Sequence, residues 1–299
     1  MTLLRIFGAV VVAALLIGGA GASTGLASAS RSSTVTAVDL GVLGGTFSFA
    51  SAVSPTGQVV GESTTASGQI HPFSWTQAGG MVDLGTLGGS FSSAIAVSPS
   101  GQVVGNSLLH GFDNHAFSWT QSGGMVDLGT LGGSDSYAGD VNATGQVVGE
   151  STTSAGELHA FSWTQSGGMV DLGTLGGSSS FALAVNASGQ VVGYSTMAGE
   201  SEAHAFSWTQ AGGMVDLGTL GGDFSTAWDV NARGQVVGSA SLPDDATSHA
   251  FSWTQAGGIV DLGTLGGAGS EAFAVNASGD AVGSSDTAAG DTHATLWHT

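Results

Sequence analysis

Residues 169–208 read MVDLGTLGGSSSFALAVNASGQVVGYSTMAGESEAHAFSW, and close copies of this stretch occur along most of the chain. One Trp marks each copy, and successive tryptophans are 44, 44, 45, 45 and 44 residues apart. They are Trp75, Trp119, Trp163, Trp208, Trp253 and Trp297. A period of about 40–45 residues is typical of one four-stranded blade of a β-propeller. The period therefore predicts an all-β protein with six blades.

Each copy contains four short runs rich in β-branched and aromatic residues, separated by turn residues, as expected for antiparallel strands. In the copy quoted above, Asn186-Ala-Ser-Gly189 predicts one hairpin turn and Thr209-Gln-Ala-Gly-Gly213 predicts the next. We letter the strands of a blade A to D, with Ala-x-Ala-Val-Asn as the inner strand A and Val-Asp-Leu-Gly as the outer strand D. Strand B is Gln-Val-Val-Gly, and strand C is His-Ala-Phe-Ser-Trp.

The two ends of the repeat region predict how the ring closes. The first copy starts with a strand of D type at about residues 36–41, and the last copy ends with a strand of C type at about residues 293–298. Everywhere else these two strands are neighbours in one hairpin. Pairing the N-terminal strand with the C-terminal strand would complete the sixth blade and remove free sheet edges.

The N-terminus has the layout of a secretory signal peptide. Arg5 precedes an apolar run over residues 6–17, and two Ala-x-Ala sites follow at residues 20–22 and 27–29. The apolar run is shorter than the roughly 20 residues that a membrane-spanning helix needs. We therefore predict a signal peptide over residues 1–30, cleaved near residue 22 or 29, and a secreted propeller over residues 31–299 with no membrane span.

Composition narrows the classes of partner. The chain has 299 residues, 52 glycines, no cysteine and a formal net charge of −19, and it contains no lysine. Binding to nucleic acid or to an anionic membrane requires cations, so both are disfavoured. Cations, basic partners and neutral sugars remain possible ligands.

The strand C motif resembles that of the HAF family of extracellular repeat proteins, named for His-Ala-Phe. The motif stands at His115-Ala-Phe117, His159-Ala-Phe161, His204-Ala-Phe206 and His249-Ala-Phe251, with variants at His71-Pro-Phe73 and His293-Ala-Thr295. The resemblance covers roughly residues 35–299. It implies a secreted, mostly bacterial repeat protein, and it implies no particular activity.

Three residue types recur once per copy, and we interpret all three as structural. Each repeat His and repeat Asp is predicted to form a buried hydrogen-bond pair, because a buried polar group needs a partner. The repeat Trp is predicted to pack in the core beside the Phe of strand C. The six histidines lie in different blades, so they are not expected to share a metal ion. The histidines are His71, His115, His159, His204, His249 and His293, and the aspartates are Asp39, Asp83, Asp127, Asp171, Asp216 and Asp261.

The copies differ from one another mainly in the D–A connection, including the start of strand A, and in the B–C loop. Because blade strands are antiparallel, both segments are expected on the same face of the disc, where acidic and aromatic residues collect. Such residues suit a glycan or a cationic ligand, and clustered carboxylates could also hold Ca²⁺. The candidate ligand residues are Asp135, Tyr137, Asp140, Asp223, Phe224, Trp228, Asp229 and Glu271.

Three functions are compatible with this pattern. The preferred one is a non-catalytic extracellular binding module that presents the acidic, aromatic face. The second is a polysaccharide hydrolase or lyase on the same face, since a glycosidase needs only two carboxylates. The third is a structural surface or matrix protein, in which case the acidic face would only maintain solubility. No catalytic residue and no bound cofactor can be assigned from a motif.

Overall fold

The computed structural model describes residues 36–299, and in that range it contains 23 β-strands and no helix. The predicted signal peptide lies outside the described residues. Within residues 36–299 no helix is long and apolar enough to cross a membrane. The all-β prediction is therefore confirmed.

The strands group into six successive blades. Blade 1 contains β1 (Gly44–Val53), β2 (Val59–Thr65), β3 (Ile70–Thr76) and β4 (Gly80–Asp83), and blade 2 contains β5 (Ser92–Val97), β6 (Val103–Leu108), β7 (Asn114–Thr120) and β8 (Gly124–Asp127). Blade 3 contains β9 (Gly132–Val141), β10 (Val147–Thr153), β11 (Leu158–Thr164) and β12 (Gly168–Asp171), and blade 4 contains β13 (Gly176–Val185), β14 (Val191–Met197), β15 (Ala203–Thr209) and β16 (Gly213–Asp216). Blade 5 contains β17 (Ser225–Val230), β18 (Val236–Ser241), β19 (Ser248–Thr254) and β20 (Gly258–Asp261), and blade 6 contains β21 (Gly266–Val275), β22 (Ala281–Thr287) and β23 (Thr292–Trp297).

Within each blade, neighbouring strands are antiparallel and follow chain order from A to D. One parallel pair, Leu158 with Ser179, joins blades 3 and 4 into a single hydrogen-bonded sheet. Strands A of consecutive blades contact each other, whereas strands D contact mainly strand C of their own blade. Strand A is therefore the inner strand and strand D the outer one.

The core lies between the blades. Val60 of blade 1 packs with Ala94 and Val103 of blade 2, and equivalent clusters join each later blade to the next through blade 6. The Phe of strand C is fully buried in blades 1 to 5, and each such burial contributes about 1.5–3 kcal/mol. The fully buried phenylalanines are Phe73, Phe117, Phe161, Phe206 and Phe251.

The repeat His and Asp form a pair in five blades. The His Nδ1 atom lies 2.8–3.0 Å from both carboxylate oxygens of the Asp on the neighbouring strand D. The same carboxylate accepts the N–H of the glycine two residues later, as Asp171 does from Gly173 at 2.7 Å. Asp39, which precedes blade 1, accepts the Gly41 N–H at 2.9 Å in the same way, although residues 36–42 are not in a strand.

The closing pair between residues 36–41 and 293–298 is not among the strand pairs of the described residues. Residues 36–42 are not in a strand, and β23 pairs with β22 alone. The surfaces that would meet are consequently exposed. Val282 of blade 6 is 40% exposed, whereas Val148 at the same repeat position is fully buried. Val53 of blade 1 is 54% exposed, whereas Val141 is 6% exposed, so closure of the ring remains a prediction.

Candidate functional site

The two ends of the blades form two different faces. The D–A connection that leads into a blade contacts the B–C loop of that blade, as in the Asp223 N–H that donates to Asp245 Oδ1 at 2.7 Å. We call the surface formed by the D–A connections and B–C loops the variable face. The A–B and C–D turns form the opposite surface, which we call the constant face.

Hydrogen bonds explain why the A–B turn of the constant face hardly varies. Asn142 Oδ1 accepts the N–H groups of Thr144 and Gln146 at 3.0 Å, which fixes the turn. Its Nδ2 donates to the carbonyl of Asn186 in the next blade at 3.0 Å, and Asn186 repeats the arrangement toward Asn231. The repeated Asn therefore holds both the turn and the next blade.

Asp140 and Asp229 hold neighbouring blades together. Asp140 accepts the N–H of Val141 at 2.7 Å and, across the blade boundary, the N–H of Val185 at 3.0 Å. Asp229 accepts the N–H groups of Val230 and Val275, both at 2.8 Å. Two of the candidate ligand residues are therefore already engaged in contacts between blades.

The environments of these two carboxylates are alike. Burial raises the pKa of Asp140 above its usual range, and the two backbone N–H groups partly oppose that rise. Burial also raises the pKa of Asp229, and the charge of Asp140 raises it further. The charge of Asp140 in blade 3 thus acts on Asp229 in blade 5. Trp228, beside Asp229, occupies a β-bulge on strand A and is 38% exposed.

Tyr137 belongs to a buried acidic environment that includes a residue absent from the sequence-based candidates. Glu150 lies opposite Tyr137 on strand B of blade 3. Burial raises the pKa of Glu150 to about 7, and burial together with the charges of Asp135 and Glu150 raises the pKa of Tyr137. Glu150 lies within β10 and not in the B–C loop that follows it. Glu150 lies two residues after buried Val148 and therefore on the same strand face, and this spacing identifies it from the sequence as a buried acid.

The position of Glu150 is occupied in blade 2 by Asn106, whose side chain links two blades. Asn106 Oδ1 accepts the Ala138 N–H of blade 3 at 2.8 Å. Glu150 makes no such bond to the described residues of blade 4. It is therefore a mostly buried carboxyl group without the hydrogen bond that its shorter counterpart makes.

The remaining candidate residues are spread along the variable face. Asp135 Oδ1 accepts the Asn114 N–H of blade 2 at 2.9 Å, so it also links two blades. Asp223 is exposed, and its N–H donates to Asp245 Oδ1 in the B–C loop at 2.7 Å. Phe224 is half-exposed, and Glu271 is exposed on β21 of blade 6. The structure does not bring all eight candidates into one cluster.

Glu271 lines a groove of about 290 Å³ on the variable face between blades 5 and 6. Its walls carry hydroxyl and carboxylate groups and no cationic group. Its lining residues are Ala246, Thr247, Ser248, Ala268, Gly269, Ser270, Glu271, Ser284, Ser285 and Asp286. A second groove, of about 430 Å³, lies on the constant face between blades 2 and 3 and includes Gln102, Trp163 and Gln165. Among residues 36–299, no three acidic or histidine side chains are grouped so as to hold a metal ion.

No protein-family model matches the chain, and no curated protein gives a significant match. Solved structures do match. The β-propeller domain of the Trilobed protease from Pyrococcus furiosus, described as having an open velcro topology, aligns over 84% of this chain and 81% of its own length, with a TM-score of 0.53 and 8% identity. This likeness shows a propeller type of fold and nothing about activity.

Two further structures are more distant. TolB from Acinetobacter baumannii aligns over 68% of this chain with a TM-score of 0.45 and 14% identity, and this chain spans half of its length. The six-bladed fungal lectin of Aleuria aurantia, for which a fucose recognition mode is described, aligns over 84% of this chain and 90% of its own length, with a TM-score of 0.35 and 12% identity. These TM-scores are too low for either protein to indicate a ligand.

Proposed function

We propose that this chain is a secreted, non-catalytic binding protein whose variable face binds a glycan or a cationic ligand. The observation that carries the proposal is that the repeated residues and the variable residues lie on opposite faces. Side-chain hydrogen bonds account for the residues repeated on the constant face, whereas the sequence differences among copies gather on the variable face. Loops held by a rigid framework are the usual location of binding residues.

The geometry favours binding over catalysis. Asp140 and Asp229 are two candidate carboxylates on strand A, and each accepts two backbone N–H groups. A general base or nucleophile on a polysaccharide needs a carboxylate oxygen that faces the substrate. The two carboxylates instead perform a structural function between blades.

A closed six-bladed ring is part of the proposal. The exposed surface of blade 6 carries Val282 and Ala294, and that of blade 1 carries Ala50 and Val53. At the five formed blade boundaries the residues at these positions lie against one another. The two exposed surfaces are therefore the halves of a sixth boundary. Closure would also give His293 the partner Asp39.

The binding proposal is tested by retention on insoluble polysaccharides and cell-envelope fractions. We expect residues 31–299 to be retained on at least one of them, and we expect Phe112→Ala with Phe224→Ala to reduce retention, since both aromatic rings are exposed on the variable face. The matched control is Gln121→Ala with Gln165→Ala on the constant face, which should leave retention unchanged. Failure of the wild-type chain to bind any fraction would favour the structural function instead.

We also propose that the chain is secreted and that it belongs to the HAF family. The basis for secretion is the arrangement of Arg5, the apolar run and the Ala-x-Ala sites, and the basis for family membership is the strand C motif. Expression of the full chain in a bacterial secretion host, followed by mass measurement of the product in the medium, tests secretion. We expect a mature chain that begins after residue 22 or 29, and retention of the intact chain in the cytoplasm would contradict secretion.

A further inference from the structure

The groove between blades 5 and 6 adjoins a position that has no side chain. At the start of strand A this position holds Phe47, Phe91 and Phe224 in blades 1, 2 and 5, Asp135 and Ser179 in blades 3 and 4, and Gly269 in blade 6. The preceding residue in blade 6 is Ala268, so the segment is small throughout. Blade 6 is thus the only one of the six blades in residues 36–299 with no side chain at this position.

Gly269 is not required by its backbone conformation. Its φ lies outside the left-handed region, and a Cβ added to it would lie 3.4 Å from Asp286 Oδ2 and from the Ser248 carbonyl, which is ordinary contact. By contrast, a Cβ on Gly267 would approach the Thr287 carbonyl to 2.5 Å, so that glycine is needed by the fold. The backbone therefore does not require a glycine at position 269, and the lack of a side chain there leaves the groove open.

The lining of the groove defines the chemistry of its ligand. The Ser248 and Ser284 hydroxyls in its wall make no hydrogen bond to the described residues, whereas the Thr247, Ser270 and Ser285 hydroxyls are already bonded within the fold. Asp286 accepts the Thr292 hydroxyl at 2.7 Å and the Gly269 N–H at 3.2 Å. The Glu271 carboxylate accepts no hydrogen bond from the described residues, so it remains available to a donor on a ligand.

Charge excludes several ligand classes. Arg233 is the only lysine or arginine in residues 36–299, and it lies in an A–B turn on the constant face, where it donates to the Ser278 carbonyl. Phosphate, sulfate and uronic acid groups would therefore meet two carboxylates without a compensating cation. A purely apolar ligand would leave the Ser248 and Ser284 hydroxyls without partners. The groove suits a ligand with several hydroxyl groups and a positive charge.

We propose that this groove binds a polyhydroxylated ligand that carries a primary ammonium group, such as a hexosamine unit with a free amine. The ammonium group donates to Glu271, and the ligand hydroxyls exchange hydrogen bonds with the Ser248 and Ser284 hydroxyls. This inference rests on the proposed function, because it names the ligand class and one site on the same variable face.

The test is calorimetric titration of residues 31–299 with glucosamine oligomers, with N-acetylated oligomers and with glucose oligomers of equal length, at about 0.15 M salt. We expect the glucosamine oligomer to bind at least about tenfold more tightly than the other two. Glu271→Gln should remove most of that preference. Gly269→Phe places in blade 6 the residue that blades 1, 2 and 5 carry, and it should abolish binding.

The Gly269→Phe variant separates a specific site from general attraction to an acidic protein. The substitution does not change the net charge, so nonspecific binding of a cationic oligomer would persist in the variant. Its melting temperature, compared with that of the wild type, verifies that it folds. Undiminished binding by a folded Gly269→Phe variant would overturn the site, and wild-type preference for the N-acetylated or neutral oligomer would overturn the ligand class. Either result leaves the binding function standing if the chain is still retained on polysaccharide.

Discussion

The repeated His and Asp show how one side-chain contact serves every blade. His159 Nδ1 lies 2.9 Å from Asp171 Oδ2, and the imidazole is mostly buried while the carboxylate is partly exposed. The carboxylate also fixes the turn at Gly173. The contact thus joins strands C and D at the rim of the blade.

Replacing His159 tests this structural function. We expect His159→Ala to lower the free energy of unfolding by about 1 kcal/mol, the usual net contribution of one hydrogen bond, and to leave ligand binding intact. For a chain of this size the melting temperature should fall by about 2–4 °C. His110→Ala, at an exposed loop position, is the control. A melting temperature equal to that of the wild type would refute the structural interpretation.

The raised pKa of Glu150 predicts that the free energy of unfolding depends on pH. Its pKa is about 7 in the folded chain against 4.5 for an exposed Glu, because the buried site disfavours the charge. Below pH 4.5 the Glu150 carboxyl is neutral in the folded and in the unfolded chain, so it does not lower the free energy of unfolding. From pH 4.5 to about 7 the unfolded chain loses the proton more readily, so stability falls. The loss reaches at most about 3 kcal/mol above pH 7.

We therefore expect Glu150→Gln to be more stable than the wild type at pH 8 and about equally stable at pH 4. Urea unfolding at several pH values measures the difference. Glu202→Gln removes an exposed acid on the next B–C loop and should follow the wild-type curve. If Glu150→Gln and the wild type respond to pH in parallel, Glu150 is not the buried acid described above.

At the scale of the element, strand C is linked to strand A of the next blade through a serine. In blade 2, the Ala116 N–H donates to Ser136 Oγ of blade 3 at 2.9 Å, and blades 3, 4 and 5 repeat this bond. Blade 1 has Pro72 at the donor position, which lacks an N–H group. There, Ser92 Oγ donates to the Asn106 carbonyl at 3.1 Å instead.

This exception provides a matched pair of variants. Ser136→Ala leaves a buried N–H group without a partner, which should cost about 1–3 kcal/mol. Ser92→Ala removes an equally buried hydroxyl but leaves no N–H group unpaired, so we expect a loss below about 1 kcal/mol. Chemical unfolding of the two variants compares these losses. Equal losses would show that the bond from strand C to the serine does not stabilise the blade boundary.

The sequence predicted the four strands of each copy and their order, because both follow from the alternation of apolar residues and from the turns. It did not predict where strand A begins. In blades 1, 3, 4 and 6 the strand starts at the first glycine of Gly-Gly, several residues before the Ala-x-Ala-Val-Asn segment that predicted strand A. Close packing explains the difference, since a Cβ on Gly45 would overlap the Thr64 side chain. Such contacts depend on the paired strand and are not visible in one segment alone.

At the scale of the whole molecule, the repeat period predicted the architecture better than the site. Asp140 and Asp229 were selected because they replace an alanine found in the other copies, but the substitution creates hydrogen bonds between blades. Glu150 and the groove at Gly269 were missed because burial and empty space arise only when neighbouring blades pack. Sequence differences among copies locate the variable face, and the packing determines which of its residues face a ligand.

The central claim for the whole molecule is that the six blades close into one ring. By the register of the other blades, where Ser252 pairs with Val260, Leu296 should lie opposite Val38. The natural chain contains no cysteine, so Val38→Cys with Leu296→Cys introduces the only two thiols. Val38→Cys with Val260→Cys is the control, because two outer strands of different blades are too far apart for a disulfide.

The decisive measurement is the electrophoretic mobility of the Val38→Cys, Leu296→Cys protein after mild oxidation, with and without reductant. We expect an intramolecular disulfide in a monomer, formed to the same extent at every protein concentration, and none in the control. Absence of the disulfide, or its formation only between two copies, would contradict the closed ring.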